Sequence, residues 1–526
     1  MDKKTFLFLA MAWTACCAVR AQLVWGDQGN GTYINPILNE DFSDPDVIRV
    51  GDRYYMVASD FNYMGMQVLE SEDMVNWQLV SQVYREMEGY DTMEHYAKGS
   101  WAPAISYQPA THTYYVYFCT PEEGLFMSTA ADPHGPWTPL HCVKRIKGWE
   151  DPCPFWDEDG KAYLGHSRVG AGPIIVHRMS ADGRELSDDG VTVYTGPVAE
   201  GTKIMKRDGW YYLVIPEGGV GTGWQTVLRS RSIYGPYEKK VILEQGITHI
   251  NGPHQGNLVS TPDGKWWFFH FQDTQALGRV VHLQPVQWID GWPMAGVDQD
   301  MNGIGEPVYV FSSPKEGKRE RMFPQHSDDF SGDVLSYKGQ RQDALGLQWQ
   351  WNHNPVDDHW SLTERKGWLT LHALPADKIK AAKNTLTQKT VGYESEAVTQ
   401  VDASALGEGT RAGVCVLGNR HVAFGVTRQD GTLRFYTETC PAIRRLQDEQ
   451  EKTELLGVAA KRVFLKVHAE DCWFQFYYST DGKTYHKAGN RVEVRSGNWK
   501  GPRLGLYCYG SQGTAHFNFF HYSPLR

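Results

Sequence analysis

Residues 44–59 read DPDVIRVGDRYYMVAS: an apolar strand, a Gly51-Asp52 turn, and a second strand that opens on aromatic residues. The same unit returns four times. It appears as WAPAISYQPATHTYYVYF from Trp101 to Phe118 and DPCPFWDEDGKAYLGH from Asp151 to His166, then as GTKIMKRDGWYYLVI from Gly201 to Ile215 and HQGNLVSTPDGKWWFFHF from His254 to Phe271. The turns at Asp159-Gly160, Asp208-Gly209 and Asp263-Gly264 are hairpin signals, and the flanking residues alternate with the period of two of a β-strand. Copies spaced by roughly 50–60 residues leave room for about four short strands each, which suits propeller blades better than solenoid turns. Five copies predict five blades. Few stretches carry a helical period, so the strand–helix alternation of an α/β barrel is disfavoured.

The chain has 526 residues, more than one hydrophobic core accommodates, since cores stop growing near about 250–300 residues. A polar, charged stretch from Ser312 to Ser327 follows the repeats and has the character of a linker or strap. Beyond it, Asp328-Asp329-Phe330, WLTLHA (Trp368 to Ala373), the hairpin VAFGVTRQDGTLRFYT (Val422 to Thr437) and the final AHFNFFHYS give antiparallel strands with frequent turns. These predict a β-sandwich. The expected organisation is an all-β chain: a leader over 1–21, a propeller over 22–312, a linker over 313–327 and a sandwich over 328–526. Phe474, Phe476, Phe517, Phe519 and Phe520 alternate as core residues would, whereas Trp349, Trp351 and Trp360 are candidates for solvent, the other domain or the site rim.

Lys3 and Lys4 precede an apolar stretch from Phe6 to Val19, and Val19-Arg20-Ala21 resembles a signal-peptidase site. The mature chain is then expected to begin near Gln22 and to be exported to the periplasm. The alternative is a lipid anchor on Cys16 or Cys17. No later stretch has the run of about 18 apolar residues needed to span a membrane. A formal net charge of −10, with no basic run after the leader, argues against a nucleic-acid partner. Seven cysteines remain after the leader, without metal-ligand spacing, so buried thiols are expected. The 19 Trp and 27 Tyr suit a sugar ligand, whose C–H faces stack on rings.

In a propeller the first residues of each innermost strand face one mouth of the central channel. Asp44, Asp151, Glu200 and His254 stand at or beside those positions. Three carboxylates around one axis raise one another's pKa, a cost usually tolerated for function, although Asp-Pro and Glu-Gly pairs also cap strands. Asp46 shares a strand face with Asp44 and is its chief rival. Asp41 looks like a loop residue, and Glu217 is a further candidate for substrate binding.

Several motifs together resemble glycoside hydrolase family 43, the arabinofuranosidases and β-xylosidases, across essentially the whole mature chain. They include Phe42-Ser43-Asp44-Pro45-Asp46, Asp73-Met74-Val75-Asn76-Trp77, Trp101-Ala102-Pro103, Asp151-Pro152, Glu200-Gly201, Leu277-Gly278-Arg279 and Leu283-Gln284-Pro285-Val286-Gln287-Trp288. The resemblance implies a five-bladed propeller with a concanavalin-like sandwich. It makes Asp44 the general base, Glu200 the general acid and Asp151 the residue that orients Glu200 and raises its pKa. Arg279 resembles a sugar-gripping arginine, the alternative being a surface ion pair; Trp101 is a further binding candidate. His254 resembles an axial histidine that in some relatives meets water or calcium, the alternative being a core histidine. No cofactor is expected to be required; a structural Ca²⁺ in the channel is the metal option, without a DxDxDG loop to support it.

Two departures from the family pattern bear on substrate. Ala104 follows Pro103 where relatives often carry a polar residue, and Phe61-Asn62-Tyr63-Met64-Gly65-Met66 differs from typical β-xylosidases. The pattern is closer to arabinofuranosidases that trim hemicellulose side chains, and among them to those acting on xyloglucan. The expected reaction is exo-acting, inverting removal of terminal α-L-arabinofuranosyl units from an oligosaccharide or polysaccharide. Terminal β-D-xylosyl units, or both, are the alternative, and a non-catalytic carbohydrate-binding propeller is the rival of another class.

Overall fold

The computed structural model describes residues 24–87, 96–317, 321–332, 345–441 and 451–526. The leader with Cys16 and Cys17 lies outside them. Regular structure among the described residues is β-strand apart from short 3-10 turns, and no described helix is long and apolar enough to cross a membrane.

Five four-stranded antiparallel sheets follow one another along the chain, each a simple meander in sequence order. The first is built from Asp46–Val50, Arg53–Val57, Gln67–Ser71 and Trp77–Gln82. The later four begin at Trp101, Trp149, Lys203 and Leu258, and the last ends at Ala295. Apolar side chains pack between adjacent blades, for example Tyr55, Val57 and Val68 of the first blade with Ile105, Val116 and Phe118 of the second. Among the described residues no sheet holds strands of both the last and the first blade, but the segment entering the first blade bonds the last one, Ile37 N–H donating to the Val281 carbonyl at 2.8 Å and Phe42 N–H to that of Arg279 at 3.0 Å. That seam is closed by Met56, Trp77, Trp267 and Phe269 in one apolar cluster, and by the Asn257 amide donating to Asp46 Oδ1 at 3.0 Å. A separate three-stranded sheet joins Gly26–Asp27 and Thr32–Ile34 to Val310–Ser312, tying the chain's entry to its exit.

One backbone feature recurs in all five blades. At the channel mouth the innermost segment passes through the left-handed region at Asp44 (φ 54°), Ala102 (φ 41°), Asp151 (φ 56°), Gly201 (φ 61°) and Gln255 (φ 38°). For the four non-glycine residues this conformation costs on the order of 1–3 kcal/mol each, and such strain clusters at functional sites. It interrupts the period of two: the ladder slips between Trp101 and Ala104 and between Glu150 and Cys153. Consecutive residues therefore reach the same cavity, as Trp101 with Ala102, Glu150 with Asp151, and His254 with Gln255 do.

The remaining strands form a sandwich of an eight-stranded and a seven-stranded sheet. Its core holds Phe424, Phe474, Phe476, Phe517 and Phe520. Trp349 and Trp351 are buried in that same core, and Trp360 packs against it, so none of the three forms a site rim. The eighth strand of the larger sheet is Tyr63–Met64, supplied by the propeller and paired with Gln350–Asn352. The interface buries charged and polar groups beside an apolar cluster of Tyr63 with Leu417 and Tyr436. Asp60 lies 3.6 Å from Arg503, and the Lys389 ammonium donates to Gln67 at 2.9 Å, all four being buried. Burial there pushes the Glu40 carboxyl up to about 8 and the Lys389 amine down to about 8. The seven cysteines in the described residues are free thiols, five of them buried.

Candidate active site

The kinked ends of the blades surround a pocket of about 470 Å³ at one mouth of the channel. Asp44, Trp101, Glu150, Asp151, Glu200, His254 and Arg279 line it, so six residues singled out from sequence meet there together with one that was not, Glu150.

Asp44 is buried and held from two directions. Arg279 Nη1 lies 2.7 Å from its Oδ1, and Ser59 Oγ donates to its Oδ2 at 2.6 Å. Ser59 in turn accepts the Ala102 backbone N–H, which links the first two blades behind the carboxylate. The Arg279 guanidinium also lies over the Phe271 ring, 4.6 Å from its centroid, and is not a surface ion pair. Asp41 is a loop residue, as expected, and it is buried, accepting the Arg279 backbone N–H at 2.9 Å.

Across the mouth, Glu150, Asp151 and Glu200 bring carboxylate oxygens within 4.8 Å of one another. Asp151 Oδ2 accepts from Ser167 Oγ at 2.9 Å and from the Gly201 N–H at 2.7 Å, while Oδ1 accepts from the Gln255 amide at 3.3 Å. The Gly201 bond fixes the residue next to Glu200, which is the local basis of an orienting role. His254 Nε2 lies 3.1 Å from Glu200 Oε1. Burial, then the charges of Asp151 and Glu200, push Glu150 up to about 9; burial and Glu200 push Asp151 up to about 6. Glu200 departs from expectation. Burial pushes its carboxyl up, but His254 and the Arg279 charge outweigh burial and leave it below the ordinary carboxylate range. Carboxylates this close oppose one another's ionisation, and the upward push is largest at Glu150.

One sequence expectation is corrected here, at Glu217, and the rival of Asp44 is set aside. Glu217 does not reach the pocket: it is fully buried beside the Lys239 ammonium (2.8 Å) and accepts from Tyr194 at 2.8 Å and Thr226 at 2.5 Å, a structural anchor. Asp46, two residues below Asp44, faces the channel and not the sugar side. It accepts the Ile105 N–H at 2.8 Å and pairs with Lys203 at 3.5 Å, both carboxylate and ammonium being buried. That ammonium also bears on the calcium expectation. His254 offers a single soft nitrogen where calcium takes six to eight oxygens, and the channel already contains a cation at Lys203. His254 alone is a poor calcium ligand, the clustered oxygen donors of the pocket are the carboxylates of Glu150, Asp151 and Glu200, and no chemical step is routed through a metal.

The sandwich contributes a rim residue that sequence reasoning missed. Trp499, 51% exposed, lines the pocket and stands edge-on to Trp101 with ring centroids 5.2 Å apart. Its carbonyl accepts from Ser43 Oγ at 3.0 Å, next to Asp44. Phe61 completes this aromatic wall, 6.5 Å from Trp101.

Residues 33–293 match the family model of glycosyl hydrolases family 43, and residues 341–523 match the β-xylosidase C-terminal concanavalin A-like domain. The chain belongs to glycoside hydrolase family 43. A relative from Xylanibacter ruminicola, named for β-xylosidase activity, is 56% identical, with 91% of this chain and 87% of that one aligned. The non-reducing end α-L-arabinofuranosidase BoGH43B of Bacteroides ovatus is 31% identical over 65% of each chain. Among solved structures, the family 43 protein BlXynB of Bacillus licheniformis superposes with a TM-score of 0.80 at 28% identity, over 93% of this chain and 99% of that one. Family 43 membership makes the protein a glycoside hydrolase acting on carbohydrate, with the propeller and concanavalin-like sandwich described above.

Proposed function

We propose that this family 43 enzyme removes single terminal pentosyl units from hemicellulose-derived chains with inversion of configuration. The observation that carries the reading is that Asp44, held by Arg279 and Ser59, and the Glu150–Asp151–Glu200 cluster line one small pocket. In an inverting glycosidase, base and acid flank the scissile bond about 6.5–9.5 Å apart, leaving room for a water. Asp44, anchored by Ser59 and Arg279, accepts a proton from that water as it attacks the anomeric carbon. Glu200 gives its proton to the departing glycosidic oxygen, and Asp151 holds Glu200 through the Gly201 N–H. Exo action is supported by the small volume of the pocket, about 470 Å³, with Phe61, Trp101 and Trp499 in its lining.

For the sugar, the balance moves from the arabinofuranosyl expectation to a terminal β-D-xylosyl unit, because the relative from Xylanibacter ruminicola is similar over nearly the whole chain. Terminal α-L-arabinofuranosyl removal, xyloglucan side chains included, is the second reading, favoured by the similarity to BoGH43B. The leader at Lys3 to Ala21 supports export to the periplasm. The test is side-by-side hydrolysis of aryl β-D-xylopyranoside and aryl α-L-arabinofuranoside, with the product anomer followed by NMR. A xyloside preference with first-formed α-xylose is expected. First-formed β-xylose would refute inversion, and binding of xylo-oligosaccharide without turnover would make the chain a lectin.

A further inference from the structure

Residues 298–303 read DQDMNG, with an asparagine where the strict DxDxDG form has its third aspartate. This is the spacing in which calcium-binding loops place their first, third and fifth ligands and the glycine of the sharp turn. Gly303 holds φ 87°, the left-handed side that favours glycine. The loop takes no part in the mechanism above, and none of its residues lines the pocket. It follows the outer strand of the fifth blade, Trp292–Ala295. Val297 and Glu306 close its base, the N–H of each donating to the carbonyl of the other at 3.0 Å. Glu244, one residue past the outer strand of the fourth blade, is brought alongside by its own N–H, which donates to the Gly305 carbonyl at 3.0 Å.

The observation that points to a ligand is Glu306. Its side chain is fully buried, and neither carboxylate oxygen makes a hydrogen bond. A Cβ at Gly246 would collide with the Glu306 carboxyl, so the glycine leaves the room that this group fills, two residues from Glu244. Burial, and then the charges of Asp300, Asp298 and Glu244, push the carboxyl above its ordinary range, against the pull of the nearby Ile247 N–H. The side chain is thus aimed at the acidic loop and away from solvent. Among the described residues no lysine, arginine or histidine forms an ion pair with any of the four carboxylates. A buried carboxylate without donors is tolerated where a proton or a cation balances it, and four carboxylates gathered at one place favour the cation.

We propose that the 297–306 loop and Glu244 form a calcium site at the outer edge of the propeller, where the ion fastens the fifth blade to the fourth. The side-chain oxygens of Asp298, Asp300 and Asn302, the Ile304 carbonyl at the seventh position, and the carboxylates of Glu306 and Glu244 supply the oxygens. Their number falls within the six to eight that calcium takes. The twelfth position, a glutamate in the helix-flanked form of the loop, is Tyr309 here, and Glu306 and Glu244 take over its charge. Asn302 already gathers the set. Its Nδ2 donates to Glu244 Oε1 at 2.8 Å and to Asp300 Oδ2 at 3.2 Å, and its backbone N–H to Asp298 Oδ1 and Asp300 Oδ1 at 3.1 Å each. Asp300 and Asn302 are exposed, so turning their side chains onto a shared ion disturbs no packing. Charged, numerous donors on a pliable loop suit calcium better than magnesium, which demands near-octahedral geometry and keeps its waters. The role is structural, since the site shares no residue with the pocket.

The test is titration of the full chain, first stripped with EDTA, with CaCl2 alone, read by calorimetry and by thermal melting. The parent is compared with Asp300→Asn, Glu306→Gln and Glu150→Gln. A single calcium per chain is expected, with a Kd of about 10⁻⁴ M or tighter. About a hundredfold excess over that Kd should raise the melting temperature by about 2–4 °C. Asp300→Asn, on an exposed residue, should fold, keep the parent's turnover well below its melting temperature, and weaken calcium by about tenfold or more. Glu306→Gln should lose most of the calcium response. Absence of both binding heat and a melting shift in the parent overturns the proposal. So does full calcium affinity in either loop variant. Calcium that is lost in Glu150→Gln but retained in Asp300→Asn sits on the pocket carboxylates, which overturns it as well. An equal melting shift with MgCl2 refutes calcium as the occupant.

Discussion

Arg279 and Asp44 form a buried ion pair at 2.7 Å on the floor of the pocket, and Asp41 holds the arginine's own backbone N–H. The pair has two consequences for Asp44→Asn. The attacking water loses its proton acceptor, so kcat should fall by about 10³ or more while a bound pentose inhibitor loses at most a few-fold in affinity. Arg279 also loses its counter-charge, and breaking a buried pair from one side costs about 3–5 kcal/mol, so the melting temperature should fall as well. Kinetics, inhibitor titration and thermal melting of one preparation check all three. Azide, entering in place of the activated water, should restore part of the turnover.

Asp46→Asn separates the two neighbouring aspartates. Asp46 serves the Ile105 N–H, the Asn257 amide and the Lys203 ammonium and does not line the pocket. Its replacement should cost about 3–5 kcal/mol of folding stability through the stranded Lys203 charge. The kcat of the folded fraction should change much less than in Asp44→Asn. Urea unfolding with active-site titration measures both quantities.

How far the sequence could be read follows from these two residues. Period-two alternation and Gly turns marked the blades, because hairpin chemistry is local and repeats in sequence. Alternation also made Asp44 and Asp46 interchangeable candidates, and the left-handed turn at Asp44 separates them. The same turn at Asp151 brings Glu150 into the pocket, where strict alternation would send it to the other face. Four of the five kinks fall on residues other than glycine, so composition carries no mark of them. The shared kink position in the five copies is the one signal that could have found Glu150: aligned on it, Glu150 stands over Glu200. Glu217 looked available because it ends a strand, but Lys239, which satisfies it, arrives two strands later in its blade. Trp499 was hidden for a different reason, since nothing local to residue 499 says that its loop lands beside Ser43.

Trp499→Ala should act on the part of the substrate that leaves. The indole is half-exposed at the rim and edge-on to Trp101, placed to stack against a sugar beyond the scissile bond. KM for xylobiose is expected to rise about five- to tenfold, at about 1 kcal/mol for one aromatic contact, with KM for a small aryl xyloside changing less. Equal changes on both substrates would place the ring against the terminal sugar instead.

Stability should depend on pH through Glu40. Its carboxyl is fully buried at the domain interface and titrates at about 8, well above an unfolded glutamate. The folded chain therefore holds a proton that the unfolded chain releases. The resulting stabilisation is complete below about pH 4.5 and is lost as pH rises through 8, at a slope of at most about 1.4 kcal/mol per unit. Glu40→Gln cannot ionise, so its melting temperature relative to the parent chain should climb steadily from pH 5 to pH 8. A constant difference across that range would mean that Glu40 is ionised in the folded protein. Lys389, titrating at about 8, acts between there and the unfolded lysine value and leaves this window clear.

The two-residue strand Tyr63–Met64 sits inside the first blade's sequence but completes a sheet whose other strands begin about 290 residues later. During synthesis the amino-terminal portion therefore waits with an unpaired backbone edge until almost the whole polypeptide has emerged, a state open to mispairing with other chains. It also limits how such a protein is remodelled over evolutionary time. A sandwich exchanged for one from another lineage must match a foreign tyrosine–methionine edge as well as deliver a tryptophan to the pocket. The halves are thus expected to be inherited together, and recombinants cut at the linker should misfold unless residues 60–66 travel with the carboxy-terminal part.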